Sequence, residues 1–179
     1  MSLTHAQIRK VVRYGDPILT RPAVEVTQFD GSGRDALARL IDDMYCTMYG
    51  ANGIGLAAPQ VGVGLRVAIV DISFGRDPRA RFTLVNPKIL GVWGNDIADE
   101  GCLSLPGFRA KVARPGTVHV EYWNIFGERF ERTGEGLLAR ALVHEVEHLH
   151  GLLYIHALSS LRRSSIVRKI SKLRRHGQW

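Results

Sequence analysis

The stretch Glu135-Gly-Leu-Leu-Ala-Arg-Ala-Leu-Val-His-Glu-Val-Glu-His-Leu-His150 decides how the rest of the chain is arranged. Its apolar residues, Leu137, Leu138, Ala141, Leu142, Val146 and Leu149, recur at helical spacing and predict a helix with more than one buried side. Within it, His144-Glu145-Val146-Glu147-His148 puts two imidazoles four residues apart, on one face. Both can reach one metal ion. Glu145 is rotated by about 100° from His144. There its carboxylate flanks the ion and can take a proton from a water held beside it. A surface helix rich in Glu and His is the competing reading. A buried helix, however, seldom carries two His and two Glu without partners.

Two histidines need a third protein ligand if one position is to stay open for water. The long protease pattern His-Glu-x-x-His-x-x-Gly-x-x-His is not met: Gly151 fits, but Tyr154 stands at the last position, and His150 and His156 are displaced from it. No Asp or Glu follows His148, so the third ligand is expected upstream. Cys102, in Glu100-Gly-Cys-Leu-Ser-Leu-Pro106, is the strongest candidate, since a thiolate with two neutral imidazoles makes a tight divalent-metal site. A buried structural thiol is the alternative for Cys102. Cys46 lies among Leu37, Leu40, Ile41, Met44 and Met48, a helical core pattern.

A third segment, Gly53-Ile-Gly-Leu-Ala-Ala-Pro-Gln60, lies between the first long helix and the strand Leu65–Ile72. Its alternate glycines allow another chain to come close. Gln60 offers an amide donor for a developing oxyanion. A plain glycine-rich turn is the competing reading. A phosphate loop is excluded, because there is no Gly-Lys-Ser/Thr ending.

In this order and spacing, Gly53–Gln60, Glu100–Ser104 and Val143–His148 resemble the three motifs of peptide deformylases, and Val12–Leu19 is similar to that family's N-terminal segment. The likeness spans roughly residues 10–160. It implies an α+β fold, with antiparallel β-sheets wrapped around a central His-Glu-x-x-His helix, an N-terminal helix, and a basic C-terminal helix outside. It implies removal of the formyl group from N-formylmethionyl nascent peptides, releasing formate. Cys102, His144 and His148 would hold one divalent ion, with Fe(II) expected and Zn or Ni able to replace it. Glu145 would be the general base, with Gln60 and the Leu103 N–H as oxyanion donors. The peptide would lie along Gly53–Gly55 and Gly101–Leu103, anchored by Arg109, with the methionine side chain near Ile54, Glu100, Leu137 and Ala141. Two positions depart from the family. Val143 stands for its usual Gln, and Glu147 for an Asp that pairs with the arginine matching Arg114. Such outer partners orient metal ligands. A weakly active or non-catalytic paralogue therefore stays an alternative, with a zinc endopeptidase behind it.

Other strands are expected at Phe82–Asn86, ending at Pro87, and at Thr117–Trp123, which turns through Asn124–Gly127 into Glu128–Arg132. Arg76–Arg81 reads as an exposed loop. One domain over residues 1–179 and a monomer are expected. There is no early apolar run and no stretch near twenty apolar residues, so neither export nor membrane insertion is expected. Met1-Ser-Leu has the look of an added start. Two dissimilar cysteines point to a reducing compartment, hence the cytoplasm.

Net charge is +7. Seven of the 24 Lys and Arg lie from Arg162 onward, where there is no acid, and the remainder balance 17 acids. Leu158–Arg175, with Leu161, Ser165, Ile166, Ile170 and Leu173 on one stripe, predicts a basic amphipathic helix. Either it is a solvated helix packed by one face, or it docks on a polyanion, above all ribosomal RNA.

Overall fold

A computed structural model describes residues 6–179; the Met1–Leu3 start lies outside them. The helices are α1 (Gly31–Gly50), α2 (Gly136–Leu149) and α3 (Ser160–Arg175). The strands are β1 (Gly55–Ala57), β2 (Val67–Asp71), β3 (Arg81–Trp93), β4 (Asp96–Gly101), β5 (Arg109–Arg114), β6 (Thr117–Trp123) and β7 (Arg129–Glu135). An antiparallel sheet runs in the order β1-β2-β3-β6-β7, and β4-β5 form a separate hairpin. The fold is α+β, as expected.

Strand β2 shows why the layers stack as they do. Its Val-Ala-Ile-Val run is buried throughout, because both faces are covered. Val67 and Ile69 point into a core with Leu37, Leu40, Ile41, Met44 and Met48 of α1. Ala68 and Val70 point the other way, toward Ala141, Leu142 and Leu149 of α2. The strand period of two thus sorts one apolar run between two helices. Helix α2 is the inner helix: ten of its fourteen residues are buried.

Helices α1 and α2 end in tight turns that redirect the chain. At the end of α1 the Asn52 N–H bonds to Tyr49 O and the Gly53 N–H to Met48 O, with Asn52 left-handed at φ 54°. At the end of α2 the Gly151 N–H bonds to His148 O and the Leu152 N–H to Glu147 O. Gly151 has φ 75°, and a Cβ there would stand 2.7 Å from the Thr20 backbone. Both are reverse-turn caps of the Schellman kind.

Two sequence expectations need correction. The strand at Phe82–Asn86 does not stop at Pro87 but continues to Trp93. The ladder with β6 slips between Val85 and Lys88, so Pro87, which has no N–H to give, falls in a bulge. Asn86 takes φ 49° there, and its side-chain amide bonds Val26 N and O at 2.9 and 2.8 Å. In α3 the packed stripe is Ile166, Val167 and Ile170, against Leu105, Phe108 and Tyr154. Leu161 stands outside that stripe, 74% exposed.

Candidate metal centre and peptide groove

Helix α2 presents Arg140, His144 and His148 on one face, four residues apart each time. Facing them run Ala98, Glu100 and Cys102, two residues apart each time, along β4 and just past it. A four-residue helix step rises about 6 Å and a two-residue strand step about 6.6 Å, so the two series keep nearly equal spacing. Arg140 meets Asp96, Ala98 and Glu100; His144 meets Glu100; His148 meets Cys102. His144 Nδ1 lies 2.6 Å from Glu100 Oε1, and Cys102 Sγ 3.2 Å from His148 Nε2.

Ligand atoms of Cys102, His144 and His148 all lie within 4.8 Å of one another. Around a tetrahedral ion with bonds of about 2.1–2.3 Å, ligand atoms stand about 3.6 Å apart. The three residues therefore fit a divalent metal. The hydrogen bond at Nδ1 leaves His144 Nε2 free to point at the group. Burial holds His148 well below the ordinary histidine range, which favours the neutral form, the one able to ligate a metal.

Glu145 is 3% exposed, and its Oε2 has no hydrogen-bond partner among the described residues. Burial pushes its pKa up to about 7. A buried carboxyl poised near neutrality, beside a cluster of metal-type ligands, is suited to pass a proton. Gly55 makes room for it: a Cβ at position 55 would overlap the Glu145 carboxylate, 2.9 Å from its Cδ.

Glu100 is saturated. Arg114 Nε and Nη2 donate to it at 2.9 and 2.7 Å, and Arg140 Nη1 at 3.0 Å. Burial alone would raise its pKa, but Arg114 and His144 more than offset this and hold it at about 2. Arg114 also meets Glu147 through two bonds, Nη1 to Oε1 at 2.6 Å and Nη2 to Oε2 at 2.9 Å. The extra methylene of Glu147 thus keeps a two-point pair with Arg114. Val143 lies away from this network, in an apolar cluster with Val118, Ala139 and Ile89, where an amide would find no use. Neither departure disturbs the groups around His144.

Gln60, 2% exposed, is fixed by the Ala57 N–H on its Oε1 at 2.8 Å. That turns its Nε2 toward Cys102 Sγ, at 3.4 Å, and Ser104 Oγ, at 3.3 Å. Gln60, Leu103, Gly53, Ile54, Gly55, Glu100, Gly101, Arg109, Leu137 and Ala141 all line one cavity of about 590 Å³, together with Cys102, His144 and Glu145. Arg109 and Leu137 sit exposed on it, and Ala141 and Gln60 are buried in its wall. Among the described residues, strand β1 pairs only with β2, and β4 only with β5. The cavity therefore runs between two strand edges with backbone groups to spare.

Three contributors to the site were not singled out in the sequence. Arg140 sits inside an apolar helical run, where a lone Arg signals a buried partner. The β4-β5 hairpin shows only in the weak alternation Arg-Ala-Lys-Val-Ala-Arg of Arg109–Arg114. Phe74 gave no signal at all.

The polypeptide deformylase family model matches residues 8–164. A peptide deformylase of Acidobacterium capsulatum is 46% identical over 172 residues, covering 96% of this chain and 99% of that protein. The crystal structure of a peptide deformylase from Legionella pneumophila superposes with a TM-score of 0.85 at 42% identity, covering 95% of this chain and 97% of the other. One from Synechococcus elongatus, in complex with actinonin, gives 0.82 at 34% identity, with 93% of each chain covered. With its motifs, fold and relatives in agreement over nearly its whole length, the chain belongs to the peptide deformylase family.

Proposed function

We propose that Cys102, His144 and His148 hold one divalent metal ion and that Glu145 is the general base in hydrolysis of the formyl group of N-formylmethionyl peptides. Removal of N-terminal formyl groups by a metal-dependent hydrolysis is the chemistry of the family. The observation that carries the residue assignment is the Cys102, His144 and His148 cluster beside a buried Glu145 whose Oε2 has no partner among the described residues.

When bound, the ion acts as a Lewis acid toward the formyl oxygen and the attacking water. Glu145 accepts a proton from that water as its oxygen adds to the formyl carbon. Gln60 Nε2 and the Leu103 N–H donate to the oxygen that gains charge. Glu145 then gives the proton to the amine nitrogen as the C–N bond breaks, leaving formate and a free N-terminus. The peptide lies extended between the edges of β1 and β4, along Gly53–Gly55 and Gly101–Leu103, an added strand of the kind that open sheet edges accept. Ile54, Leu137 and Ala141, with the aliphatic stem of Arg140, take the methionine side chain. The Glu100 carboxylate, engaged by two arginines and His144, contributes only its stem to that wall. Arg109 anchors the peptide further along.

Fe(II) is the ion we assign, with Zn or Ni able to take its place. The whole chain acts as one domain and as a monomer in the cytoplasm, where nascent chains emerge, and its α3 bases dock it on ribosomal RNA. Among the described residues no helix is long and apolar enough to cross a membrane.

The test is formate release from formyl-Met-Ala-Ser, measured under exclusion of oxygen. Protein stripped of metal is expected to release none, and protein reloaded with Fe(II) to regain it. Equal release by the stripped and the reloaded protein would overturn the assignment.

A further inference from the structure

Helix α3 ends in a turn of the same kind as α1 and α2. The Gly177 N–H bonds Arg174 O at 3.0 Å and the Gln178 N–H bonds Leu173 O at 2.9 Å, with Gly177 left-handed at φ 67°. The turn sends the chain back over the body and sets Trp179 on it.

Trp179 is held from three sides. Its Nε1–H donates to the Tyr14 carbonyl at 3.1 Å. The Arg13 guanidinium lies over its ring, 5.7 Å from the centroid. The ring meets that of Phe108 edge to face, with centroids 5.9 Å apart and planes at 65°. A ring so fixed has little freedom to slide, and it limits the freedom of what it touches.

Phe108 carries this contact to the groove. It lines the cavity next to Arg109, whereas Trp179 stands outside the lining. The fully buried Tyr154 donates its hydroxyl to Phe108 O at 3.1 Å, and the Phe108 N–H closes a turn on Leu105 O at 3.2 Å. Carbonyl, amide and ring of Phe108 are thus each held by a different part of the chain. Arg109 begins β5 opposite Gly101 and folds over that glycine: a Cβ at position 101 would stand 3.3 Å from Arg109 Cγ. Arg109 is exposed, so its direction is set by the backbone it leaves from, and Phe108 fixes that backbone.

Tyr14 offers a second path. Its N–H donates to Ser104 O, and that of Val12 to Gln60 O, each at 2.8 Å. Arg174 also donates to the Tyr14 carbonyl. Tyr14 therefore keeps a donor without Trp179, while the Phe108 ring loses its aromatic partner.

We propose that Trp179 is a positioning residue for peptide binding: pressed on Phe108 from outside the groove, it sets the backbone from which Arg109 reaches a peptide that extends beyond its formyl-methionine. This rests on the reading of the cavity as a formyl-peptide groove with Arg109 as its further anchor. Trp179 then acts on KM rather than on bond breaking, and only for substrates long enough to reach Arg109.

The experiment measures kcat and KM for formyl-Met-Ala-Ser, which reaches Arg109, and kcat/KM for formyl-methioninamide, which ends short of it. It uses wild type, Trp179→Phe, Trp179→Leu and Trp179→Ala. Losing an edge-to-face ring pair is expected to raise KM for the tripeptide about two- to tenfold in the Leu and Ala variants, with kcat, and kcat/KM for the amide, as in wild type. Trp179→Phe keeps a ring against Phe108 and gives up only the N–H bond, so it should return KM most of the way to the wild-type value. Trp179→Leu keeps apolar cover and carries the test if Trp179→Ala fails to fold. A Trp179 that only supports the fold would lower resistance to urea and leave the tripeptide KM unchanged, or impair both substrates alike; either result would overturn the proposal. A Trp179→Phe protein as impaired as Trp179→Ala would overturn the path through Phe108. Wild type that releases no formate from either substrate would instead overturn the formyl-peptide reading of the groove, and this inference with it.

Discussion

Arg140→Met removes the top rung of the ladder that holds β4 against α2. The guanidinium is 7% exposed by side chain. Nη1 donates to Glu100 Oε2 and Val112 O at 3.0 Å each and reaches Ala98 O at 3.4 Å, while Nη2 donates to Asp96 O and Oδ2 at 3.0 Å each. Taking one partner from a buried charge pair costs about 3–5 kcal/mol, because the other charge stays behind. Glu100 keeps Arg114 and His144, and Asp96 is 47% exposed by side chain. The low end of that range therefore applies, and the Met side chain restores about 1 kcal/mol of apolar burial. The net loss expected is about 2–3 kcal/mol. For a chain of this size that lowers Tm by about 4–12 °C. A loss of the ladder also loosens Cys102 relative to His144 and His148, so metal should pass to a competing chelator faster. Urea unfolding of stripped and Zn-loaded protein, with chelator competition on folded samples, reads both effects. A stability loss under about 1 kcal/mol with unchanged metal release would refute the ladder.

Val143→Gln restores the family's usual residue but buries an amide among Val118, Ala139 and Ile89; it should lower stability in urea by about 1–3 kcal/mol rather than help. Asp71 is subject to burial, which raises its pKa, but the Ser73 and Tyr49 hydroxyls and two backbone N–H groups hold it below the ordinary carboxylate value. Its contribution is therefore present above about pH 4 and is lost as pH falls through its lower folded pKa. The stability gap between wild type and Asp71→Asn should be full at pH 6–7 and shrink below about pH 4; a gap that is flat with pH would contradict this. In α3, Arg174 bonds the Tyr14 carbonyl, so the ribosome test leaves it in place. Replacing Arg168, Lys169, Lys172 and Arg175 by Gln should reduce co-sedimentation with ribosomes at low salt, since each phosphate contact contributes about 0.7–0.9 to the log–log salt slope. Equal co-sedimentation would make α3 a helix that is merely solvated.

The sequence was most readable where one local rule decides the outcome. The four-residue spacing of His144 and His148 is a property of any helix, and the Val67–Val70 run needs only a period of two and cover on both sides. What stayed hidden depends on partners distant in the chain. Pro87 reads as a strand end until Asn86 is seen bonding Val26. Arg140 looks like a surface residue misplaced in an apolar run until the β4-β5 hairpin arrives to receive it. The pairing of Glu147 with Arg114 was implied by the family resemblance, but whether one more methylene spoils it is a matter of ångströms.

In the proposed reaction Glu145 moves the proton while Cys102, His144 and His148 hold the ion. Glu145→Gln keeps the shape of the side chain but cannot accept a proton. The decisive measurement is formate released per bound metal by wild type and Glu145→Gln, both loaded with Fe(II). Both proteins are expected to bind one metal ion, with turnover by the variant lower by at least about 10²- to 10⁴-fold. A variant that binds its metal and still releases formate at the wild-type rate would contradict the role given to Glu145.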